Sequence, residues 1–191
     1  MGVKIMHKNL KTLFWVSLLG VLAVALSGCL FTPSEGGIIS MGRPYEVVNL
    51  SQHGGYNDPD LVKLTDGKVG NNEVWDGPYA GFGATDGTQP SYLIIDLGAA
   101  KTVSSVSIHC YHGKWGIYAP KKIYTALSND KVTWTDPVYH NVTEEHWNSE
   151  LADKNPDGAW YSMALNGSGR YVKVGFEDFG WAWASEITVI Q

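Results

Sequence analysis

The chain has 191 residues, with 14 Lys and Arg against 19 Asp and Glu, for a formal charge of −5. That acidic balance, without any basic cluster, leaves no electrostatic footprint for nucleic acid and does not favour an anionic polysaccharide or lipid surface. Tryptophan and tyrosine are abundant (8 and 10 residues), whereas there are only two cysteines, Cys29 and Cys110, so the fold does not rest on a disulfide framework.

The first residues are a targeting signal. Lys4, Lys8 and Lys11 make a basic start, an apolar run covers residues 13–26, and the run closes on Leu26-Ser27-Gly28-Cys29. This is the layout of a secretory signal peptide. With a cysteine directly after the small pair, it resembles a bacterial lipoprotein signal, which implies lipidation of Cys29 and anchoring in a membrane. The alternative, a retained single-pass anchor, needs about 20 apolar residues, more than this run supplies. Cleavage before Cys29 removes three lysines and no acid, taking the charge from −5 to −8. The expected layout is a signal over 1–28, lipidated Cys29 with a polar, Gly- and Pro-containing tether over 29–40, and one domain over 41–191.

The domain reads as all-β. Its apolar segments are short, β-branched or aromatic, and separated by Gly, Asn, Asp and Pro. The near-continuous run over 92–97 suits a central strand buried on both faces. Over 103–110 the pattern alternates, with Val103, Ser105, Ser107 and His109 on one face and Ser104, Val106, Ile108 and Cys110 on the other. Cys110 is expected as a small buried thiol. A strand over 123–127 ends in the turn signal Ser128-Asn129-Asp130-Lys131, with a strand resuming at Val132-Thr133-Trp134. A strand over 160–165 turns through Asn166-Gly167-Ser168-Gly169 into another over 170–176, and the last strand covers 186–190. Trp134 and Trp183 are expected in the core.

Several short motifs occur in a fixed order. They are Leu64-Thr65-Asp66-Gly67, then Leu93-Ile94-Ile95-Asp96-Leu97-Gly98, then Gly116-Ile117-Tyr118-Ala119-Pro120 followed by Ser128-Asn129-Asp130-Lys131. Arg170-Tyr171-Val172-Lys173-Val174 and Ser185-Glu186-Ile187 complete the series. Together they resemble the discoidin, or coagulation factor 5/8 type C, domains, over residues 45–191. The resemblance implies a galactose-binding-like jelly-roll β-sandwich shared with bacterial carbohydrate-binding modules, with its first and last segments side by side.

It also implies a structural calcium ion where the termini meet. Carried onto this chain, the ligands are the Lys63 carbonyl, the Asp66 carboxylate, the Lys68 carbonyl, Asn71, the Ser185 carbonyl and the Glu186 carboxylate. Calcium accepts six to eight oxygens at about 2.3–2.6 Å, carbonyls included. Relatives often carry Asn where Lys68 stands, and a lysine offers only its carbonyl. The alternative is a plain turn, with Asp66 capping the loop and Glu186 paired to a lysine.

Sugars present an apolar C–H face and a polar rim, so a sugar site pairs aromatic walls with a few placed polar groups. Four aromatic segments qualify: 51–56 with His53 and Tyr56, 72–79 with Trp75 and Tyr79, 112–118 with His112 and Trp115, and 179–183 with Trp181. The candidate ligand residues are therefore His112, Trp115, Trp181, His53, Trp75 and Tyr79. Enzyme readings have little behind them. The carboxylates at Asp58 and Asp60, Glu144 and Glu145, and Glu177 and Asp178 read as solvated loops, and no nucleophile elbow, His-Glu-x-x-His or phosphate loop is present. The expectation is a non-catalytic, glycan-binding lipoprotein of the bacterial cell surface or periplasm. The alternative is a structural or adhesion lipoprotein that binds an envelope protein or lipid surface through loop aromatics. The first requires a concave aromatic cleft, the second a convex apolar patch.

Overall fold

The computed structural model describes residues 37–72 and 78–191. Cys29 and Trp75 lie outside the described residues. Among the described residues eight strands form one antiparallel sheet that folds over on itself. They are β1 (Tyr45–Val48), β2 (Leu50–Gln52), β3 (Ala80–Ala84), β4 (Ser91–His112), β5 (Lys122–Ser128), β6 (Val138–Asn141), β7 (Asp157–Glu177) and β8 (Trp181–Ile190). The order is β2-β3-β8-β4-β7-β5-β6, with β1 also on β4. A one-turn 3-10 helix (Lys63–Thr65) follows β2, and two four-residue helices, α1 (Glu144–Trp147) and α2 (Ser149–Ala152), precede β7.

Two long strands build the sandwich. The first half of β4 pairs with β1 and with the end of β7, while its second half pairs with β8 and with the start of β7. Both strands therefore pass from one layer to the other, around a corner where the β4–β7 register shifts between Asp96 and Lys101. Gly98 turns this corner at φ +83°, a conformation that suits a residue without Cβ. The sequence predicts a turn at 166–169. There β7 instead runs on through the corner, with Gly167, Ser168 and Gly169 paired to Val103, Thr102 and Lys101.

The apolar run over 92–97 is the central strand expected, flanked by β1 and β7, but its second face is only partly covered, with Tyr92 and Asp96 half-buried. Leu93, Ile95 and Leu97 are buried with Ile108, Val172, Val174 and Ile187 in the main core, each contributing about 1.5–3 kcal/mol as an upper bound. The alternation over 103–110 holds for Val106, Ile108 and Cys110 but not for Val103. The register shift between Val103 and Ser105 sets two residues of β4 against three of β7, and at this corner between the layers Val103 lies in the same core. Cys110 is buried and its thiol is pushed well above its ordinary range by burial.

Two further expectations change. No strand resumes at Val132, because Asp130 Oδ1 takes the amides of Val132 and Thr133 at 2.8 Å and closes a local turn. Trp134 is half-buried rather than in the core, with the Lys173 ammonium 4.0 Å over its ring. The ends of the domain do lie side by side. Ile38 bridges Ile190, and Ser40 Oγ donates to the Ile187 carbonyl while accepting from the Val189 amide. The sandwich thus includes residues 38–40, just before the expected boundary at 41.

Candidate functional site

Trp181 and Trp183 are two apart on β8, so their side chains leave the strand on the same face. Opposite them on β3 stand Gly83 and Gly81, their direct register partners. A Cβ on Gly83 would lie 3.2 Å from the Trp181 ring, and one on Gly81 would lie 3.0 Å from Trp183. The absence of side chains on β3 is what lets both indoles lie against it.

The hairpin segment after β2 docks on the same strand. The His53 amide donates to the Gly81 carbonyl and the Gly81 amide to the Tyr56 carbonyl, both at 2.9 Å. His53 then packs 5.3 Å from Trp181 and 5.2 Å from Trp183, and Tyr56 lies 4.5 Å from Trp183, all between ring centroids. The loop after β4 supplies the facing wall. Gly113 and Ile117 pair across it, and Trp115 and Gly116 adopt φ +71° and +75° at its tip. A left-handed conformation is uncommon for a tryptophan, and here it turns the backbone so that the indole is 70% exposed.

These five aromatics, with Gly116 and Ile117, line a concave cleft of about 230 Å³. Beneath it Tyr79, Tyr111, Ile117 and Trp183 form a small core of their own, with Tyr56 packed against it. Trp181 is 37% exposed and Trp183 only 3%. The walls are therefore ring faces and edges. The Gly55 amide donates to His53 Nδ1 at 3.2 Å, which leaves the proton on Nε2 as a donor for a ligand.

The structure gathers His53, Trp115 and Trp181 from the sequence candidates and adds Tyr56 and Trp183. It puts Tyr79 below the cleft, fully buried, with its hydroxyl donating to the Asn71 carbonyl at 2.6 Å. His112 does not reach the cleft. It is 5% exposed at the end of β4, stacked on His146, and borders a separate cavity of about 140 Å³ with Glu145 and Lys154. Burial and the neighbouring His146 push its pKa down to about 4.

Hydrogen bonds tie Ser185 and Glu186 to the loop that carries Asp66, Lys68 and Asn71. Glu186 reaches from β8 to the loop after the 3-10 helix, where its Oε2 accepts from the Gly67 amide at 2.9 Å. Its Oε1 is buried without a hydrogen-bond partner among the described residues. Burial, together with the charge of Asp66, raises the Glu186 pKa to about 7. Asp66 accepts from the Lys68 amide and from its ammonium at 3.1 Å. Ser185 Oγ accepts from the Gly70 amide and lies 2.7 Å from His109 Nδ1. The residue also sits at the register shift of the β4–β8 ladder. Lys63 donates through its amide to Asp58, and through its ammonium to the carbonyls of Asn57 and Tyr79. Among the described residues no three His, Cys, Asp or Glu side chains cluster for a metal. Two carboxylates, one with a buried unpartnered oxygen, together with backbone carbonyls nevertheless suit a hard, oxygen-loving cation.

The chain overlays on three solved sugar-binding modules. One is CpGH89CBM32-4 of Clostridium perfringens, in complex with GlcNAc-α-1,4-galactose, at 12% identity and TM-score 0.51 over 86% of this chain and 100% of that one. Another is the lectin domain of lectinolysin complexed with Lewis B antigen, at 15% identity and TM-score 0.56 over 81% and 96%. The third is a Streptococcus pneumoniae fucose-binding module, at 16% identity and TM-score 0.53 over 82% and 96%. The fold is a galactose-binding-like, discoidin-type jelly roll. No family model and no curated protein matches the chain. At these identities the likeness establishes the jelly roll alone, and what the cleft binds has to be argued from the cleft.

Proposed function

We propose that this jelly roll is a non-catalytic carbohydrate-binding module, held at a bacterial envelope by lipid on Cys29 and braced by a calcium ion. The observation that carries the reading is the concave cleft of His53, Tyr56, Trp115, Trp181 and Trp183. Its aromatic walls match the C–H face of a pyranose, and the His53 Nε2 proton reaches for a hydroxyl. The solved modules that share the fold are bound to, or named for, glycans, which agrees with that reading. A concave site favours a sugar over the flat or convex patch that a protein or lipid partner needs.

Calcium would be held by the carboxylates of Asp66 and Glu186 with the carbonyls of Lys63, Lys68, Asn71 and Ser185, and would tie the loop after the 3-10 helix to β8. Its role is structural, neutralising the two carboxylates. A lone module of this kind binds one sugar at about millimolar strength, near −4 kcal/mol. Many lipid-anchored copies on one surface raise avidity without new contacts.

The test is a glycan array probed with the full chain in detergent, with and without calcium, beside Trp115→Ala. Binding to a defined sugar class, lost in the variant while its melting temperature holds, supports the reading. A folded, calcium-loaded protein that binds no glycan overturns it and turns the search to an envelope partner.

A further inference from the structure

The aromatic cleft does not end at Trp181. A second cavity of about 130 Å³ abuts it and shares Gly116 and Trp181 as wall. A third, more polar cavity of about 500 Å³ abuts the second and shares Asp178 and Phe179. The turn from β7 to β8, residues 178–180, with Trp181 after it, thus borders all three in succession.

The chemistry changes along this line. The first section is aromatic with one histidine. The second sets Trp147 and Phe179 beside two charged groups, Lys121 and Asp178. The Lys121 ammonium lies 4.9 Å over the Trp147 ring, and its backbone amide donates to the Asp178 carbonyl, which fixes the turn. Among the described residues neither side chain forms an ion pair, with the other or with any third group. Asp178 is held at φ +53°, a backbone state that costs a non-glycine residue free energy, and its carboxylate is exposed there. A cationic donor and a carboxylate acceptor set on a fixed turn beside two aromatic rings suit a ring that carries both hydroxyls and a C–H face.

Resting on the glycan reading above, we infer that the bound species is an oligosaccharide chain of about three rings rather than a single terminal sugar. One ring lies on Trp115 and Trp181, and the next is read by Lys121 and Asp178 over Trp147. The chain then continues past Phe179 into the polar section that Glu177 and Tyr124 line.

The test uses an array that carries galactose, fucose, N-acetylglucosamine and glucuronate, each alone and within di- to tetrasaccharides. It is probed with the full chain and with Lys121→Met and Asp178→Asn. Methionine keeps the aliphatic packing on Trp147, and asparagine tolerates the left-handed backbone, so both variants fold. The expected result is an oligosaccharide signal at least about tenfold above the monosaccharide, the contribution of one charge-assisted hydrogen bond. Each variant should reduce that length advantage and leave monosaccharide binding unchanged. Equal binding of mono- and oligosaccharides, or a length advantage that both variants retain, overturns the inference while the glycan reading stands. A folded protein that binds no member of the array overturns both.

Discussion

The imidazoles of His112 and His146 lie face to face, 3.9 Å between centroids and 16° from parallel. Two cations stacked this closely repel each other, so the arrangement disfavours charging both rings. Both pKa values are lowered, chiefly by burial, that of His112 to about 4 against Asp157, which pulls the other way. In the unfolded chain a histidine titrates near 6.5. A depressed histidine means that the folded state binds fewer protons. Its stability contribution is complete above pH 6.5 and is lost as pH falls toward 4. The expected loss is up to about 3 kcal/mol. Chemical denaturation of His112→Gln against the parent, from pH 4 to 7.5, should show the parent losing its advantage through this window. A pH-independent difference would remove the argument.

Glu186 works in the opposite direction. Its folded pKa of about 7 lies above the ordinary 4.5, so without metal the folded state holds the proton more firmly than the unfolded state does. The Glu186 contribution to stability is therefore complete below pH 4.5 and is lost as pH rises through 7, by up to about 3 kcal/mol. Between pH 4.5 and 6.5 this slope and that of His112 nearly cancel, so the parent profile alone hides both. Glu186→Gln should unmask the histidine slope. Calcium at pH 8 should raise the melting temperature of the parent and do so less at pH 5, where a proton competes. A midpoint indifferent to calcium and chelator at pH 8 would sink the metal assignment.

Tyr79 links the buried cluster to the same loop through its 2.6 Å bond to the Asn71 carbonyl. Tyr79→Phe keeps the packing and removes one hydrogen bond, so a loss of about 1 kcal/mol is expected. If that bond aims the carbonyl at calcium, the loss should be greater with calcium than with chelator. Paired thermal melts read this directly.

Much of the fold was legible because its signals are local. The apolar run over 92–97 read as a central strand, and it is one, though only Leu93, Ile95 and Leu97 face the main core while Tyr92 and Asp96 stay half-buried on the other side. The pairing of the termini came from the family resemblance. The misreadings share a cause in non-local geometry. Val103 is buried where β4 passes the corner beside a bulge in β7, and strand pairing carried β7 straight through four turn-forming residues at 166–169. At Val132 an aspartate took the amides that a strand would need. In the site, His53, Trp115 and Trp181 were visible as aromatic loop residues. His112 looked equivalent, because composition does not say which of two neighbouring side chains faces inward at a strand end. One signal was present and unread: glycines alternate at 81 and 83 just as tryptophans do at 181 and 183, and the two pairs face each other.

Trp115 and Trp183 line the same cleft yet should fail differently when truncated. Trp115 stands at a loop tip and is 70% exposed, whereas Trp183 is 3% exposed within the small core under the cleft. Trp115→Ala removes a ligand surface and little packing, so it should weaken glycan binding by more than about tenfold with the melting temperature nearly unchanged. Trp183→Ala opens a buried cavity against Tyr56 and His53, and should cost about 3–5 kcal/mol of stability. Because His53 and Tyr56 lose the ring they rest on, the binding loss should follow the stability loss rather than precede it. Titration calorimetry beside denaturant melts on the two variants separates these outcomes. A Trp115→Ala protein that binds glycan as well as the parent would show that the exposed indole is not a sugar platform.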